Sequence, residues 1–257
     1  MSGRIDLRFD ERAGGTVAFL IIDNRAKLNT LDRALMTEFI ATVEALASRN
    51  GLRALVLRGA GNKAFIGGAS IPEMAELTPA SARDFITLVH RTCDCLRRLP
   101  APVIAVIDGY ALGAGLEVAV SCDLRVATSR AKFGMPETRV GIPSVVEAAL
   151  IPQLIGFGRA RELLMLGEII DAETALRWGL IERMVLPQAL DAEVEKILGA
   201  LFAAGARAVC AQKALMQRWE RLPADQAIRA GIDAFVRAFE TEEPARMLSA
   251  FIRRERG

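Results

Sequence analysis

Two glutamates stand in apolar segments of the chain. Glu117 lies in the run LEVAVS, and Glu137 lies in KFGMPETRVGIP, between Phe133 and Val140. Burial of a carboxylate is costly unless the charge has a role or a partner. Desolvation also raises a carboxyl pKa toward neutrality, as proton transfer near pH 7 requires. Glu137 alone reads as an exposed loop glutamate, but together the two residues indicate acid–base chemistry.

Two glycine-containing turns follow apolar runs, GGAS at residues 67–70 and GYALGAG at 109–115. Neither fits a phosphate-binding pattern, since GxxxxGKS is absent and the second turn lacks the third glycine of a dinucleotide fingerprint. Tight packing between a strand and a helix would explain the glycines without any ligand. Beside Glu117, however, they favour a substrate whose developing negative charge meets backbone N–H groups at a helix N-terminus.

The single histidine excludes two other kinds of chemistry. His90 lies in a helix-like stretch, SARDFITLVHRTCDCLRRL, with neither HExxH nor GxSxG nearby. Cys93 and Cys95 are two residues apart, which places them on different faces of a helix. We therefore expect no metal site and no serine-hydrolase triad.

Length and composition limit the classes of protein to which the chain can belong. The chain has 257 residues, 52% hydrophobic and 25% charged, which fits one domain or a large domain with an appendage. A formal net charge of +2 gives no support to nucleic-acid binding. Four scattered cysteines and no apolar signal core predict free thiols in a cytoplasmic protein. Without a continuously apolar run of about 18 residues, no membrane span is expected.

Alternating strands and helices must position the two glutamates. The pattern predicts a β-hairpin over residues 5–23, a helix over 31–48 and a strand over 53–59. A strand over 102–109, a short buried helix carrying Glu117 and the strand DLRVAT follow. Residues 59–74 and 110–115 are interpreted as a loop and a turn, and helices dominate after residue 142. This order predicts a parallel or mostly parallel sheet.

Several segments resemble one known family. The run PVIAVIDGYALGAGLEVAVSCDLRVATSRAKFGMPETRVGI, residues 102–142, resembles the signature of the enoyl-CoA hydratase/isomerase (crotonase) superfamily. NRAKLNTLD at 24–32 resembles its N-terminal element, and KAFIGGASIPEM at 63–74 resembles its oxyanion loop. LLMLGEIIDAETALRWGLIERMV at 163–185 resembles the segment after the active site. The resemblance covers nearly the whole chain.

The resemblance implies an α/β fold with two parts. A crotonase-like spiral core of ββα units with the acyl-CoA site would occupy residues 1–195, and a C-terminal helical trimerisation region would occupy 196–257. Homotrimers, or hexamers built from two trimers, are implied. The tail fits this expectation because more apolar residues recur at helical intervals than one helical layer needs. These residues are Trp219, Phe235, Phe239, Met247 and Phe251.

The resemblance also implies an acyl-CoA thioester as substrate and no separate cofactor, since coenzyme A is part of that substrate. The backbone N–H groups of Ala69 and Ala114 would form the oxyanion hole. Glu117 would activate water and Glu137 would deliver a proton to the α-carbon. The implied contacts with coenzyme A are Arg25, Lys27, Leu28, Lys63, Phe65, Ser70, Ile71 and Arg254. The implied acyl pocket consists of Ile142, Val145 and Val146.

Retention of both glutamates favours hydration of a trans-2-enoyl-CoA. Three segments depart from the family pattern: Ser70 stands where many members have Asp, NRA at 24–26 lacks the usual proline, and IPSVVEAAL at 142–150 replaces a glycine-rich segment. The last of these keeps other reactions open. The alternatives are another crotonase-type acyl-CoA reaction, such as double-bond isomerisation or a specialised hydratase or lyase step, and a non-catalytic acyl-CoA-binding protein. Solvated surface charge is the simpler interpretation of each basic residue assigned to coenzyme A.

Overall fold

The computed structural model describes residues 3–254 and contains two β-sheets surrounded by helices. The strands, in chain order, are β1 (Arg4–Arg12), β2 (Gly15–Asp23), β3 (Leu52–Gly59), β4 (Ala64–Ile66), β5 (Val103–Ile107), β6 (Tyr110–Leu112), β7 (Leu124–Thr128), β8 (Lys132–Gly134), β9 (Ile169–Asp171) and β10 (Arg183–Val185). The α-helices are α1 (Arg33–Ala47), α2 (Ile71–Ala75), α3 (Pro79–Arg98), α4 (Ala114–Ser121), α5 (Ile151–Leu166), α6 (Ala172–Trp178), α7 (Leu190–Ala203), α8 (Ala206–Trp219), α9 (Ala224–Ala238) and α10 (Glu243–Arg254).

From β3 to β8, successive strands alternate between the two sheets. The larger sheet has the order β1-β2-β3-β5-β7-β10, and the smaller has the order β4-β6-β8-β9. The hairpin β1–β2 is antiparallel, as predicted, and the other neighbours in the larger sheet are parallel. In the smaller sheet only β9 runs antiparallel to its neighbour. Each turn of the chain therefore adds one strand to each sheet before a helix, which is a repeated ββα order.

The hydrophobic core lies on both faces of the larger sheet. One face packs with helices α1, α3, α4 and α5, and includes Leu20 and Leu57. The other face is covered by α7, where Val194 and Leu198 contact Val17 and its neighbours. Because side chains alternate along a strand, adjacent residues of β2 pack into the hydrophobic layers on opposite faces of the sheet. The strands that carry this sheet are consequently apolar along most of their length.

Long periodic elements match their predictions and short strands do not. The helix predicted over residues 31–48 is α1, and the Asp32 carboxylate caps it by accepting the N–H of Leu35 at 2.9 Å. The loop predicted over 59–74 is wrong in part, since it contains β4 and the start of α2. The turn predicted over 110–115 contains β6 and the start of α4. Strands of three residues are too short to show a period.

The C-terminal part of the described chain is helical from α7 onward, as predicted. Helix α7 runs through residue 195, so the predicted boundary falls within one continuous helix that packs on the larger sheet. The division into residues 1–195 and 196–257 stays a prediction, and so does trimerisation. Among the described residues, every helix is too short or too polar to cross a membrane.

Candidate active site

A glycine turn places the N-terminus of α4 at a cavity. Gly113 has φ 51° and ψ −123°, and its N–H donates to the carbonyl oxygen of Gly134 in β8 at 2.9 Å. Helix α4 begins at the next residue, and all eight of its residues are buried. The N–H of Ala114, in the first turn, has no acceptor inside the helix. It therefore remains available as a donor at the positive end of the helix.

A second backbone N–H comes from the loop before α2. Ala69 pairs with Leu31 in an isolated parallel bridge, in which Gly68 O accepts the Leu31 N–H at 2.9 Å and Ser70 N–H donates to Leu31 O at 2.8 Å. The N–H of Ala69 itself consequently faces away from Leu31. Ala69 and Ala114 both line one cavity of about 650 Å³. Within residues 3–254, neither N–H donates a hydrogen bond.

Glu117 projects into the same cavity from the first turn of α4. The residue is only 4% exposed, and its Oε1 accepts the N–H of Ala148 at 3.3 Å. Burial raises the pKa of Glu117 to about 8, and repulsion from the Glu137 carboxylate adds to the rise. The carboxyl group can therefore hold or release a proton near neutral pH.

Glu137 reaches the cavity from a short 3-10 helix, Pro136–Val140. Its Oε2 accepts a hydrogen bond from the Ser144 hydroxyl at 3.0 Å. Its Oε1 lies against Gly113 so closely that a Cβ there would be 2.5 Å away. Burial raises the pKa of Glu137 as well. The structure thus brings together both predicted glutamates and both predicted N–H donors.

The rest of the cavity wall is mostly apolar. Ile142, Val145 and Ile71 line it. The acyl-pocket role of the first two and the coenzyme A contact of the third stay predictions. Helices α2 and α3 and the link between them add further apolar residues, which the sequence did not single out. These are Met74, Leu77, Phe85, Ile86 and Val89. The cavity suits a ligand with an apolar chain and few polar groups.

Two of the predicted contact residues have side chains outside the cavity lining, and their contacts with a ligand stay predictions. Phe65 is only 1% exposed and packs in the core beneath β4, so its ring does not reach the cavity. Val146 packs against the core rather than lining the cavity beside Val145. Its φ of 41° turns the chain at this point and directs the side chain away.

The other predicted coenzyme A residues lie outside this cavity. Arg25, Lys27 and Leu28 occupy an exposed turn. A 2.8 Å hydrogen bond from Gly67 N–H to Leu28 O joins this turn to the loop that carries Ala69. Arg25 is paired there with Asp23, at 2.8 Å from Nε to Oδ1. Their contact with coenzyme A stays a prediction.

Three further residues complete that set. Lys63 is exposed just before β4. Ser70 is the N-cap of α2, and its hydroxyl accepts the N–H of Glu73 at 3.5 Å, which is the backbone-bonding role of a loop hydroxyl. The side chain of Arg254, the last residue of α10, lies outside the described residues. These assignments also stay predictions.

Sequence reasoning missed the groups that hold the two carboxylates. Ser144 binds Glu137, and the Ala148 N–H binds Glu117. Both lie in the segment IPSVVEAAL, which sequence reasoning connected only with the acyl chain. The signal that could have revealed a polar role was Glu147, a carboxylate in an otherwise apolar stretch.

Cysteine and metal-ligand chemistry take no visible part in the site. The four cysteines are free thiols, as expected, and burial raises the pKa of Cys93, Cys95 and Cys122. Thiols of this kind are unreactive. The described part of the chain contains no group of three or more His, Cys, Asp or Glu side chains able to hold a metal ion.

Comparison with known proteins places this geometry in a family. The enoyl-CoA hydratase/isomerase family matches residues 12–256. The chain belongs to this family. A crotonyl-CoA hydratase of Syntrophomonas wolfei subsp. wolfei is 34% identical over 241 residues, covering 93% of each chain. A short-chain-enoyl-CoA hydratase of Clostridium acetobutylicum is 33% identical over 243 residues, covering 94% of this chain and 93% of the relative.

Solved structures of enoyl-CoA hydratase/isomerase proteins share the fold. The crystal structure of an enoyl-CoA hydratase from Bacillus anthracis superposes with a TM-score of 0.91 at 28% identity, covering 96% of each chain. The predicted superfamily and the α/β fold with a helical C-terminal region are confirmed.

Gly113→Ala tests the contact between the α4 turn and Glu137. The added Cβ would lie 2.5 Å from Glu137 Oε1, and alanine would have to adopt the positive φ of Gly113. We therefore expect the unfolding free energy to fall by about 2 kcal/mol or more. Gly199→Ala is the matched control, because Gly199 is exposed in α7 with no atom within 4 Å of the added Cβ. The control should gain about 0.5–1 kcal/mol from helix propensity. Urea unfolding of both variants measures this, and equal stability of Gly113→Ala and wild type would contradict the packing.

Glu117→Gln tests the raised pKa through stability. A carboxyl whose pKa rises from 4.5 to about 8 on folding stabilises the fold fully below pH 4.5, and that contribution is lost as the pH rises to about 8. The wild type should therefore lose about 3 kcal/mol more than Glu117→Gln between pH 5 and pH 8. Unfolding curves across this range, with the exposed variant Glu195→Gln as control, provide the measurement. Parallel pH profiles for wild type and Glu117→Gln would show an unshifted carboxyl.

Proposed function

We propose that this family member is an enoyl-CoA hydratase, a hydro-lyase that adds water across the 2,3 double bond of a trans-2-enoyl-CoA thioester. One observation carries the proposal: two carboxyl groups with raised pKa and two unengaged backbone N–H groups open into the same apolar cavity. The names of two relatives, a crotonyl-CoA hydratase and a short-chain-enoyl-CoA hydratase, support the same reaction.

The two backbone donors act on the thioester carbonyl. The N–H groups of Ala69 and Ala114 bind its oxygen, and the N-terminus of α4 adds a positive potential there. When water adds to the β-carbon, negative charge collects on that oxygen as an enolate. Because the donors are fixed before the reaction, they stabilise this charge without reorganisation, and loss of one such donor costs about 10²–10³ in rate.

The two carboxyl groups divide the proton transfers. Burial opposes ionisation of both, and repulsion from Glu137 opposes ionisation of Glu117 further. The reactive form of the pair carries one proton. With that proton on Glu137, ionised Glu117 accepts a proton from water while the hydroxyl adds to the β-carbon. Glu137 delivers its proton to the α-carbon, and the proton on Glu117 then returns to Glu137 before the next cycle. The net change is addition of one water.

The remaining predicted contacts complete the substrate site. Coenzyme A enters as part of the thioester, and the reaction needs no further cofactor because the site itself supplies acid, base and oxyanion donors. Ile142 and Val145 contact the acyl chain. The coenzyme A part is bound by residues of the exposed turn and the oxyanion-hole loop, namely Arg25, Lys27, Leu28, Lys63, Ser70 and Ile71.

Loss of enone absorbance on mixing the protein with a series of trans-2-enoyl-CoA thioesters, from short to long chains, tests the reaction. Glu117→Gln and Glu137→Gln should each lower kcat by about 10²-fold or more, because each removes a group that transfers a proton. The matched control is Glu195→Gln, an exposed carboxamide outside the cavity, which should keep wild-type rates. Glutamate-independent hydration would refute the two-carboxylate mechanism, and binding without hydration would favour an isomerase, another acyl-CoA reaction or a binding role.

We further propose a homotrimer, or a hexamer of two trimers, assembled through the C-terminal helices. Helices α9 and α10 leave large apolar side chains in solvent within the isolated chain, including Ile228, Phe235 and Phe251, each at least 60% exposed. An apolar surface of this kind is typical of a subunit contact.

The assembly can be tested by light scattering after size-exclusion chromatography. Wild-type protein should have three or six times the 27.8 kDa subunit mass. Phe235→Asp should lower the assembled mass, because a charge would be buried in the contact. Leu186→Asp, at an exposed apolar position outside these helices, is the control and should leave the mass unchanged. A wild-type monomer would refute the assembly.

A further inference from the structure

A third carboxylate lies behind the cavity wall. Glu147 belongs to the 3-10 helix Val146–Leu150 and is 7% exposed, but it does not line the cavity. Its Oε1 is 2.7 Å from Nδ1 of His90 on α3. Its Oε2 is buried and makes no hydrogen bond with any described residue. The proposed hydration uses neither residue, so the burial of Glu147, with the half-exposed His90 side chain as its only hydrogen-bond partner among the described residues, requires another explanation.

The backbone before Glu147 is strained. Val146 has a φ of 41°, a left-handed conformation that a β-branched residue rarely adopts. Such strain persists only where the surrounding contacts determine the conformation. Here those contacts are specific, since the next residue bonds to His90 and the one after it, Ala148, donates its N–H to Glu117 at 3.3 Å.

One short turn therefore connects His90 to Glu117. The 3-10 helix packs against both α3 and α4, which carry these two residues. Displacement of Glu147 from His90 would move the adjacent peptide and its hydrogen bond to Glu117. The Ala148 N–H is shared between Val145 O at 3.0 Å and Glu117 Oε1 at 3.3 Å, so the longer bond to Glu117 depends on the position of this turn.

The pair also places charge beside Glu117. The groups that face Glu147 are His90, the Cys93 thiol, Asp94 and Arg97 from α3, and Glu117 from α4. The His90 hydrogen bond stabilises the ionised form of Glu147 and opposes the effect of burial on its pKa. Ionised Glu147 in turn raises the pKa of Glu117. Glu137 faces Glu117 from the other side.

We propose that His90 and Glu147 form a positioning pair for Glu117, holding the Ala148 N–H on its carboxylate and keeping a negative charge behind it. Neither residue touches the cavity, so both act through Glu117 rather than on the substrate. The role in catalysis rests on the proposed hydratase function, in which Glu117 activates water. The effect on Glu117 itself does not depend on that function.

The direction of the effect follows from the charges. Glu147→Gln removes a negative charge next to Glu117, so ionisation of Glu117 becomes easier and its pKa falls. His90→Ala removes the hydrogen bond that lowers the pKa of Glu147, so Glu147 ionises less readily, repels the Glu117 charge less, and the pKa of Glu117 falls in the same way. His90→Asn retains an N–H donor close to the Nδ1 position and should restore most of the wild-type value.

Carbon-13 NMR of protein labelled at the glutamate carboxyl carbons measures Glu117 directly, with its resonance assigned by its loss in Glu117→Gln. The titration midpoint should fall by about half a unit to one unit in Glu147→Gln and His90→Ala. Asp94→Asn is the matched control because it also removes a negative charge from beside Glu147, one turn along α3, without breaking the pair. It should change the midpoint by less than about 0.2 unit, since a more solvated charge is screened.

Hydration kinetics give the second readout. The alkaline limb of kcat/KM, where the two carboxyls lose their last proton, should move to lower pH by the same amount in Glu147→Gln and His90→Ala, with KM within about twofold of wild type. Wild-type midpoints and pH profiles in both variants, with only a lower Tm, would overturn the proposal. Equal shifts in Asp94→Asn and Glu147→Gln would also overturn it, because any charge on α3 would then have the same effect.

The NMR titration separates this proposal from the hydratase proposal. If no enoyl-CoA is hydrated but the Glu117 midpoint moves as expected, the pair is supported and the hydratase function fails. If hydration occurs and the midpoint stays in place, the pair is refuted while the hydratase function is unaffected.

Discussion

The structure depends on keeping two carboxyl groups close together in a cavity that offers them little water. Glu117 is held by the Ala148 N–H and Glu137 by the Ser144 hydroxyl, but each carboxyl keeps few hydrogen bonds for a group so deeply placed. Burial therefore raises the pKa of both, and repulsion from Glu137 adds to the rise at Glu117. The energetic cost of this arrangement falls on the folded state, and it must be offset by the packing of the sheets and helices around it.

The two-sheet architecture provides that packing and fixes the site from several directions. Gly113 is tied to β8 through Gly134, which sets the start of α4 and the position of Glu117 one turn later. Ala69 is tied to the chain before α1 through Leu31. Because the two N–H donors come from separate segments, each hydrogen-bonded to a different part of the chain, their positions do not rely on one flexible loop. Pre-organised donors of this kind are what stabilisation of an enolate requires.

The sequence predicts those parts of the fold and site whose signals are local. Glu117 stands out because a carboxylate interrupts an apolar helix, and α1 stands out through its period and its Asp32 cap. The predicted ligand contacts of Phe65 and Val146 rest only on the resemblance of their segments to the family. The direction in which each side chain points depends instead on tertiary packing and, for Val146, on a positive φ. Strands such as β6 are only three residues long and carry no readable period.

In the segment after Glu137, two features that are unfavourable separately act together on the position of Glu117. A valine at positive φ is unfavourable by itself, and so is a buried glutamate with one oxygen unpaired. Together they place Glu147 on His90 and the Ala148 N–H on Glu117, so each unfavourable feature helps to fix the other. A glycine in place of Val146 would remove the strain, but it would also let the turn adopt other conformations. The constraint on Glu117 would then be weaker, which explains physically why a strained turn serves this site better than a relaxed one.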